Sequence, residues 1–309
     1  MATSSSTLYG GVEGGGTKFR CAVATEEQQF LAETRIETTT PQETLSRVSQ
    51  FFKPYISSLH AVGIGMFGPL DIEGKRSNGP AGSTLRTPKP GWDDVPVAQL
   101  LRTELDTPVY IDTDVNCAAW AEATAGHPPP CDPTLYITIG TGIGVGAYVH
   151  GQLLHGYMHP EMGHLPVQRE VNADGTIDMF EGSCPFHQTC IEGMASGTAL
   201  RQRLGSELKI IPPTHPVWLL TAGYIAQLIY CSVLCLCPER IVIGGGVLEH
   251  PTLLSRIREK AQARLTPYLP MSMLGIDMNT YIVPPYFGSK AGLCGATMLA
   301  KHHSQLNRR

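Results

Sequence analysis

Residues 9–24 read YGGVEGGGTKFRCAVA, and residues 134–154 read TLYITIGTGIGVGAYVHGQLL. Each is a run of strand-forming residues, a cluster of glycines with a threonine, and a second such run: two antiparallel strands around a tight turn. The same order and chemistry occur twice, which predicts two related halves, each opened by its own hairpin; two copies at so long a period exclude a solenoid. Outward from the first hairpin, FLAETRIET (30–38) reads as a third strand. PQETLSRVSQFFKPYISSL (41–59) reads as a helix with Leu45, Val48, Phe52 and Tyr55 or Ile56 on one face. A buried strand AVGIGMFG (61–68), a Gly/Pro-rich loop from Pro69 to Gly91, a helix near Val95 to Leu105 and a strand PVYIDT (108–113) follow. A helix then starts at Asn116 in NCAAWAEATAG and is broken off by HPPPCDP (127–133). This alternation of strands and helices is that of an α/β protein.

The composition narrows the function. A chain of 309 residues with 42% hydrophobic content can bury one or two cores, and the paired hairpins favour two. A formal net charge of −4 offers no basic field for nucleic acid or an anionic membrane surface. Nine cysteines scattered through apolar segments differ from the even framework of a small secreted domain, and a reducing cytoplasm is expected. The opening MATSSSTLYG lacks the charged end and apolar run of a secretory leader. One stretch, PVWLLTAGYIAQLIYCSVLCLC (216–237), has no Asp, Glu, Lys or Arg and is long enough to cross a bilayer. Gln227, the lack of a basic flank and the immediate run into PERIVIGGGV (238–247) favour a buried core helix instead.

Three glycine clusters carry the first chemical signal. Gly14, Gly15, Gly16, Thr17 and Lys18 in the first hairpin, and Thr141, Gly142 and Gly144 in the second, allow backbone N–H groups to approach an anion closely. A third cluster, Gly244, Gly245 and Gly246, follows a buried strand and precedes a helix around Leu253 to Leu265, where glycines admit an adenosine or ribose against the backbone. None ends in the Gly-Lys-Ser/Thr of a Walker loop, and each alone is equally a structural turn. Together they predict a polyphosphate-binding protein. Asp112 and Asp114 stand at the exit of the PVYIDT strand, and strand alternation would put both on one face. Asp114 can be read as a carboxylate facing an acceptor hydroxyl or as a helix N-cap, and the residues alone leave both open. In CPFHQTC (184–190), Cys184, His187 and Cys190 are three ligands of the type zinc prefers, or two buried small apolar residues beside a histidine.

VEGGGTKFRCAV (12–23), DTDVNCAAWAEA (112–123) and TIGTGIGVGAYVHGQLLHGYMHPEMGHLPV (138–167) together resemble the ROK family of sugar kinases, over nearly the whole chain from Tyr9 to about Leu299. The most specific part is HPEMGH (159–164), followed by the cysteine segment and CIEGMASG (190–197). TPKPGW (87–92) and CPFHQTC resemble the fructokinase subgroup. The resemblance implies a two-domain α/β fold of the actin, hexokinase and heat-shock ATPase type (ribonuclease H-like), with the active site in the interdomain cleft. It implies ATP-dependent phosphorylation of a hexose, D-fructose first, at the C6 hydroxyl. Asp114 matches the family's catalytic base, while Thr113, Glu161, His164 and Glu192 match sugar-binding positions. His164 supplies the fourth ligand to a structural Zn²⁺ with Cys184, His187 and Cys190, and Mg²⁺ arrives with ATP. Two positions depart from the family pattern: Glu13 stands where an Asp opens the first loop, and Thr113 where an Asn precedes the base.

The expected division is an N-terminal domain over 1–115, a C-terminal domain over 116–288 carrying the second loop, zinc site and adenosine loop, and a helix over 289–309 packing back on the first. Expected partners are a hexose, ATP and, by family habit, a second copy of the chain; nucleic acid and membrane are not expected. A DNA-binding repressor of the family would need a helix-turn-helix ahead of the first strand, which begins by Tyr9. A non-catalytic sugar sensor would tolerate loss of Asp114, which this chain keeps.

Overall fold

The computed structural model describes residues 7–306; the leader reading of Met1–Ser6 lies outside them. The first half of the chain runs β1 (Leu8–Gly14), β2 (Lys18–Ala24), β3 (Phe30–Glu37), α1 (Pro41–Phe52), β4 (Leu59–Met66), β5 (Leu70–Asp71), β6 (Ser83–Thr84), α2 (Val97–Leu105), β7 (Val109–Thr113) and α3 (Asp114–Ala125). The rest runs β8 (Thr134–Ile139), β9 (Ile143–Val149), β10 (Gln152–Leu153), α4 (Ile191–Ala195), α5 (Gly197–Leu204), α6 (Val217–Leu236), β11 (Arg240–Gly244), α7 (Leu253–Leu265), α8 (Met278–Tyr281), β12 (Ile282–Val283) and α9 (Ala291–Leu306).

Two five-stranded sheets share one topology, β3-β2-β1-β4-β7 and β10-β9-β8-β11-β12. In each, the first hairpin strand pairs antiparallel with its partner and parallel, on its other side, with a later strand that pairs parallel with the last. The parallel strands require helical crossovers, so helices cover the sheets and the strand ends carry the loops. The repeated hairpin thus reflects a repeated sheet.

The chain forms two compact units. The first runs to Ala125 and also takes in Leu153–His159 and the residues from Lys290 onward. Helix α3, expected with the second half, belongs to the first unit because its backbone is met by that of α9. A Cβ on Gly295 would lie 1.8 Å from the Cys117 carbonyl oxygen, and one on Gly63 of β4 would lie 2.0 Å from that of Ala296. The small residues of AGLCGATMLA therefore let α9 lie directly on the sheet and on α3. Val12, Phe19, Val48, Phe52, Trp92 and Leu101 are fully buried in this unit's main core, each such side chain contributing roughly 1.5–3 kcal/mol.

The second unit comprises Gly126–Gln152 and Pro160–Ser289. Helix α6 is its central helix: 67% of its most apolar window is buried in the protein. Its polar residues are spoken for. The Gln227 amide donates to the Gln168 carbonyl (2.8 Å) and Glu170 Oε1 (2.7 Å) and accepts from the Gln168 N–H (2.9 Å), while Tyr224 donates to Asp178 (2.7 Å). Asp178 also receives a two-pronged contact from Arg203 at 2.6 and 2.8 Å. These bonds fasten residues 168–178 along α6.

Candidate active site and metal centre

In the first hairpin, pairing ends at Gly14↔Phe19 and leaves residues 15–18 as the turn. Four carbonyls from Gly14 to Lys18 are drawn into the protein. Gly14 accepts from the Phe67 N–H (2.8 Å), Gly15 from the Thr38 hydroxyl (2.7 Å), Thr17 from the Thr38 N–H (3.1 Å) and Lys18 from the Gly15 N–H (3.0 Å). Among the described residues no protein group pairs with the N–H of Gly16 or Thr17. A turn with carbonyls tied back and amides exposed is an anion cradle. Gly16 faces open space. Beside the hairpin, Glu13 lies 3.9 Å from Arg20, and its Oε2 is sealed from solvent without a hydrogen bond. Burial pushes its carboxyl up to about 7, against the pull of Arg20, with the charge of Asp114 adding to the rise.

The β7–α3 corner departs from the expected pattern. The strand ends at Thr113 and the helix already begins at Asp114 rather than Asn116, so Asp112 and Asp114 do not share a strand face. The capping group is the Thr113 hydroxyl, which accepts from the Asn116 N–H (3.1 Å); Asp114 is the first helical residue and accepts from the Val115 N–H (2.9 Å). A chain turning from strand to helix rotates the second carboxylate away from the first. Asp112 is 3% exposed and bound by the Thr113 N–H (2.7 Å), the Asn116 amide (2.9 Å) and His155 Nε2 (2.9 Å). Asp114 is less committed, and burial raises its carboxyl to about 6. Such a group is ionised at neutral pH yet basic enough to accept a proton. Gly65 of β4 makes room for it, since a Cβ there would lie 3.2 Å from the Asp114 Cα.

The second hairpin has the same economy by other means. Pairing ends at Ile139↔Ile143, and residues 140–142 form the turn. The Gly140 carbonyl accepts from the Gly197 N–H (2.8 Å), and the Thr141 carbonyl from the hydroxyl (2.8 Å) and N–H (3.3 Å) of Thr198, so the start of α5 fastens the loop. Among the described residues the N–H groups of Thr141 and Gly142 have no protein partner. Glu192 sits directly against this turn. Its Oε2 accepts from the Ile143 N–H (2.9 Å), and a Cβ on Gly142 would lie 2.4 Å from that oxygen. The third glycine cluster is adjacent: Gly245 has a φ of +95°, and a Cβ there would lie 2.4 Å from the carbonyl oxygen of Ile139. Gly245 therefore needs both the left-handed conformation and the close approach. The GTG turn and the IGGG turn form one continuous backbone surface in the second unit, with the first hairpin, Glu13 and Asp114 in the other.

The metal-type ligands come together in the second unit. His164 Nδ1 lies 3.7 Å from Cys184 Sγ and 3.6 Å from Cys190 Sγ, and His187 Nδ1 lies 3.9 Å from Cys184 Sγ. All four donor atoms fall within 4.8 Å of one another. Tetrahedral zinc, with metal–sulfur near 2.3 Å and metal–nitrogen near 2.0–2.1 Å, places donors about 3.3–3.8 Å apart; the two His164–cysteine distances match this, and the His187 side of the set is looser. A tight loop shapes it: a Cβ on Gly193 would lie 1.7 Å from the Gln188 carbonyl oxygen, and one on Gly182, at φ +91°, would lie 2.1 Å from the same atom. The cluster reaches the second hairpin through the chain. Gly163, next to His164, abuts the Ile143 carbonyl, and Glu192, two residues past Cys190, takes the Ile143 N–H. The Ile143 N–H is therefore bonded, and its carbonyl closely approached, by segments that carry the metal-type donors. Glu161 is exposed at the start of that turn, its carbonyl accepting from the His164 N–H (3.0 Å).

Sequence reasoning missed the groups that fasten the hairpins, Thr38, Gly197 and Thr198, and it missed His155. Only the Ser-Gly-Thr of CIEGMASGT, a helix-start pattern, signalled any of them.

Residues 9–303 match the sequence profile of the ROK family. A fructokinase of Streptococcus mutans is 39% identical over 280 residues, 91% of this chain and 92% of its own, and a fructokinase of Zymomonas mobilis is 39% identical over 300 residues, 95% and 96%. The fold matches that of a ROK family glucokinase from Streptomyces griseus, solved in complex with glucose and AMPPNP. The TM-score is 0.71 at 24% identity, over 96% of this chain and 99% of the other. The chain belongs to the ROK family, and its two mixed α/β sheets are those of the actin-like ATPase fold.

Proposed function

We propose that this ROK-family chain is an ATP-dependent hexose kinase that transfers the γ-phosphoryl group of ATP to the C6 hydroxyl of a hexose, D-fructose in the first place. The observation that carries the proposal is the paired hairpins, one per sheet, each with carbonyls tied into the protein and two amides left for an anion. The fructokinases of 39% identity support the choice of fructose. Gly14, Gly15, Gly16, Thr17 and Lys18 of the first unit and Thr141, Gly142 and Gly144 of the second serve phosphate groups, while Gly244, Gly245 and Gly246 take the adenosine.

Asp114 is the base in this proposal. It orients the acceptor hydroxyl and takes its proton as the oxygen attacks phosphorus, positioning and electrostatics supplying most of the catalysis. The triply bound Asp112 is already committed. Glu192 keeps one oxygen on the hairpin and offers the other to a sugar hydroxyl; Glu161 and the second ring nitrogen of His164 complete the sugar contacts. Thr113 contributes by fixing the corner through its hydroxyl. Mg²⁺ bound with ATP would neutralise charge on the β- and γ-phosphates. Cys184, Cys190, His164 and His187 would hold a closed, four-coordinate Zn²⁺ that orders the sugar-facing turn. Nine free cysteines fit a reducing, cytoplasmic setting.

A coupled assay of ADP release across fructose, mannose, glucose and the N-acetylhexosamines tests the proposal. Fructose is expected to give the highest kcat/KM. Turnover of an amino sugar alone would overturn the fructose assignment, and no sugar-dependent ADP from any hexose would overturn the kinase.

A further inference from the structure

Within LLHGYMHPEMGH, His155 and His159 have no place in the sugar or metal sets. His155 belongs to Leu153–His159, a segment from the middle of the chain that lies in the first unit. Two contacts hold the segment there: His159 Nε2 accepts from the Leu70 N–H (2.9 Å), and Arg76 stacks on the Tyr157 ring at 3.8 Å while donating to its carbonyl (2.7 Å). Between these anchor residues and β10, His155 points its Nε2 at Asp112 Oδ2 (2.9 Å), and the Asn116 amide nitrogen lies 3.3 Å from the same ring nitrogen.

Asp112 is the hub of the β7–α3 corner. Its Oδ1 receives the last N–H of the strand, from Thr113, and the Asn116 side chain in the first turn of the helix; Oδ2 receives His155. Asp114 stands between these two bonded positions. Among the described residues its carboxylate is met by backbone N–H groups of Asp114 and Val115 alone, so its direction is set by the backbone on which it stands.

We propose that His155 is a positioning residue for Asp114: by clamping Asp112 it locks the corner at which strand becomes helix and so fixes the direction of the Asp114 carboxylate. This inference rests on the assignment of Asp114 as the base. The hydrogen bond to Asp112 raises His155 above the usual histidine value, the charges of Asp112 and Glu73 adding to the effect and partial burial opposing it. The other groups facing it are Asn116 of α3 and Asp112 of β7. A protonated His155 balances the Asp112 charge two residues from the base. Removing it leaves that charge unmatched, which favours protonation of Asp114 and moves its titration to higher pH.

The test uses His155→Ala and His155→Gln in the full chain. In His155→Ala, kcat on the hexose is expected to fall about tenfold or more, with the KM for ATP within about twofold of wild type, since the group lost orients the base and does not bind nucleotide. Gln can donate to Asp112 without carrying charge. It should restore most of kcat, while the acid limb of kcat/KM stays displaced to higher pH in both variants. Hydrogen exchange of the Val115 and Asn116 amides should quicken in His155→Ala and recover in His155→Gln. A wild-type kcat and acid limb in His155→Ala would overturn the proposal. So would equal impairment of both variants with faster exchange throughout α3, the sign of a merely structural role. If wild type phosphorylates no hexose, the kinase assignment fails, and the exchange measurement still decides whether His155 locks the corner.

Discussion

The two glycine hairpins have the same place in the same sheet topology and are held by different parts of the chain. The first is fastened by close neighbours of its own sheet, the backbone of residue 67 and the backbone and hydroxyl of Thr38. The second is fastened by segments outside its own sheet, the start of α5 and Glu192, whose segment carries Cys190. A duplicated element can therefore keep its shape while its support diverges. In this chain Asp114 went with the first sheet and the Cys/His cluster with the second.

The largest expected effect separates the two. Asp114→Asn should lower kcat by about 10²–10⁴-fold, the usual range for a lost general base, with the melting temperature and nucleotide affinity close to wild type. In wild type, kcat/KM should decline as pH falls through about 6, because the active form is the ionised carboxylate, whose value burial has raised to about 6. Asn at 114 should abolish that limb. Retention of wild-type turnover in Asp114→Asn would place the chemistry elsewhere.

Next in size is removal of the metal. Chelation, or Cys184→Ser, should lower the melting temperature by roughly 5–10 °C, the equivalent of a few kcal/mol in a domain of this size. It should also weaken ATP binding, because Ile143 of the second hairpin is gripped by the segments that carry the ligands. Asp114, in the other unit, should keep its acid limb in the residual activity. One equivalent of zinc by elemental analysis is expected in protein purified without chelator; its absence, with an unchanged melting curve after Cys184→Ser, would remove the metal from the account.

The smallest effect compares the hairpins directly. In Gly142→Ala the new methyl would sit 2.4 Å from Glu192 Oε2, and a loss of about 1–3 kcal/mol in stability is expected, with a raised KM for ATP. Gly16→Ala meets nothing within 4 Å and should cost under about 0.5 kcal/mol. Equal effects at the two positions, in denaturant melts, would mean that the supports do not differ.

Much of this was legible in the chain. The hairpins and α6 announce themselves through local periodicity, and Cys184, His187 and Cys190 through a spacing that one loop can satisfy. The β7–α3 corner was less so. A strand period carried one residue too far put Asp112 and Asp114 on one face, whereas the Thr113 hydroxyl starts the helix two residues earlier than expected. Nothing near Glu192 in sequence indicates that its carboxylate rests on Ile143, and nothing near His155 that it reaches Asp112, since both bonds close long loops.

By itself the sequence determined the two-sheet α/β architecture, the glycine turns and the ligand types, because strand period, glycine clustering and cysteine spacing act over a few residues. The tertiary structure decided which carboxylate is left uncommitted, Asp114 rather than the fully bonded Asp112, and what holds each hairpin. It also decided that α3 and the segment Leu153–His159 belong to the first unit. Those outcomes depend on which backbones can touch and which buried charges find partners, and such pairings are fixed only when distant segments pack together.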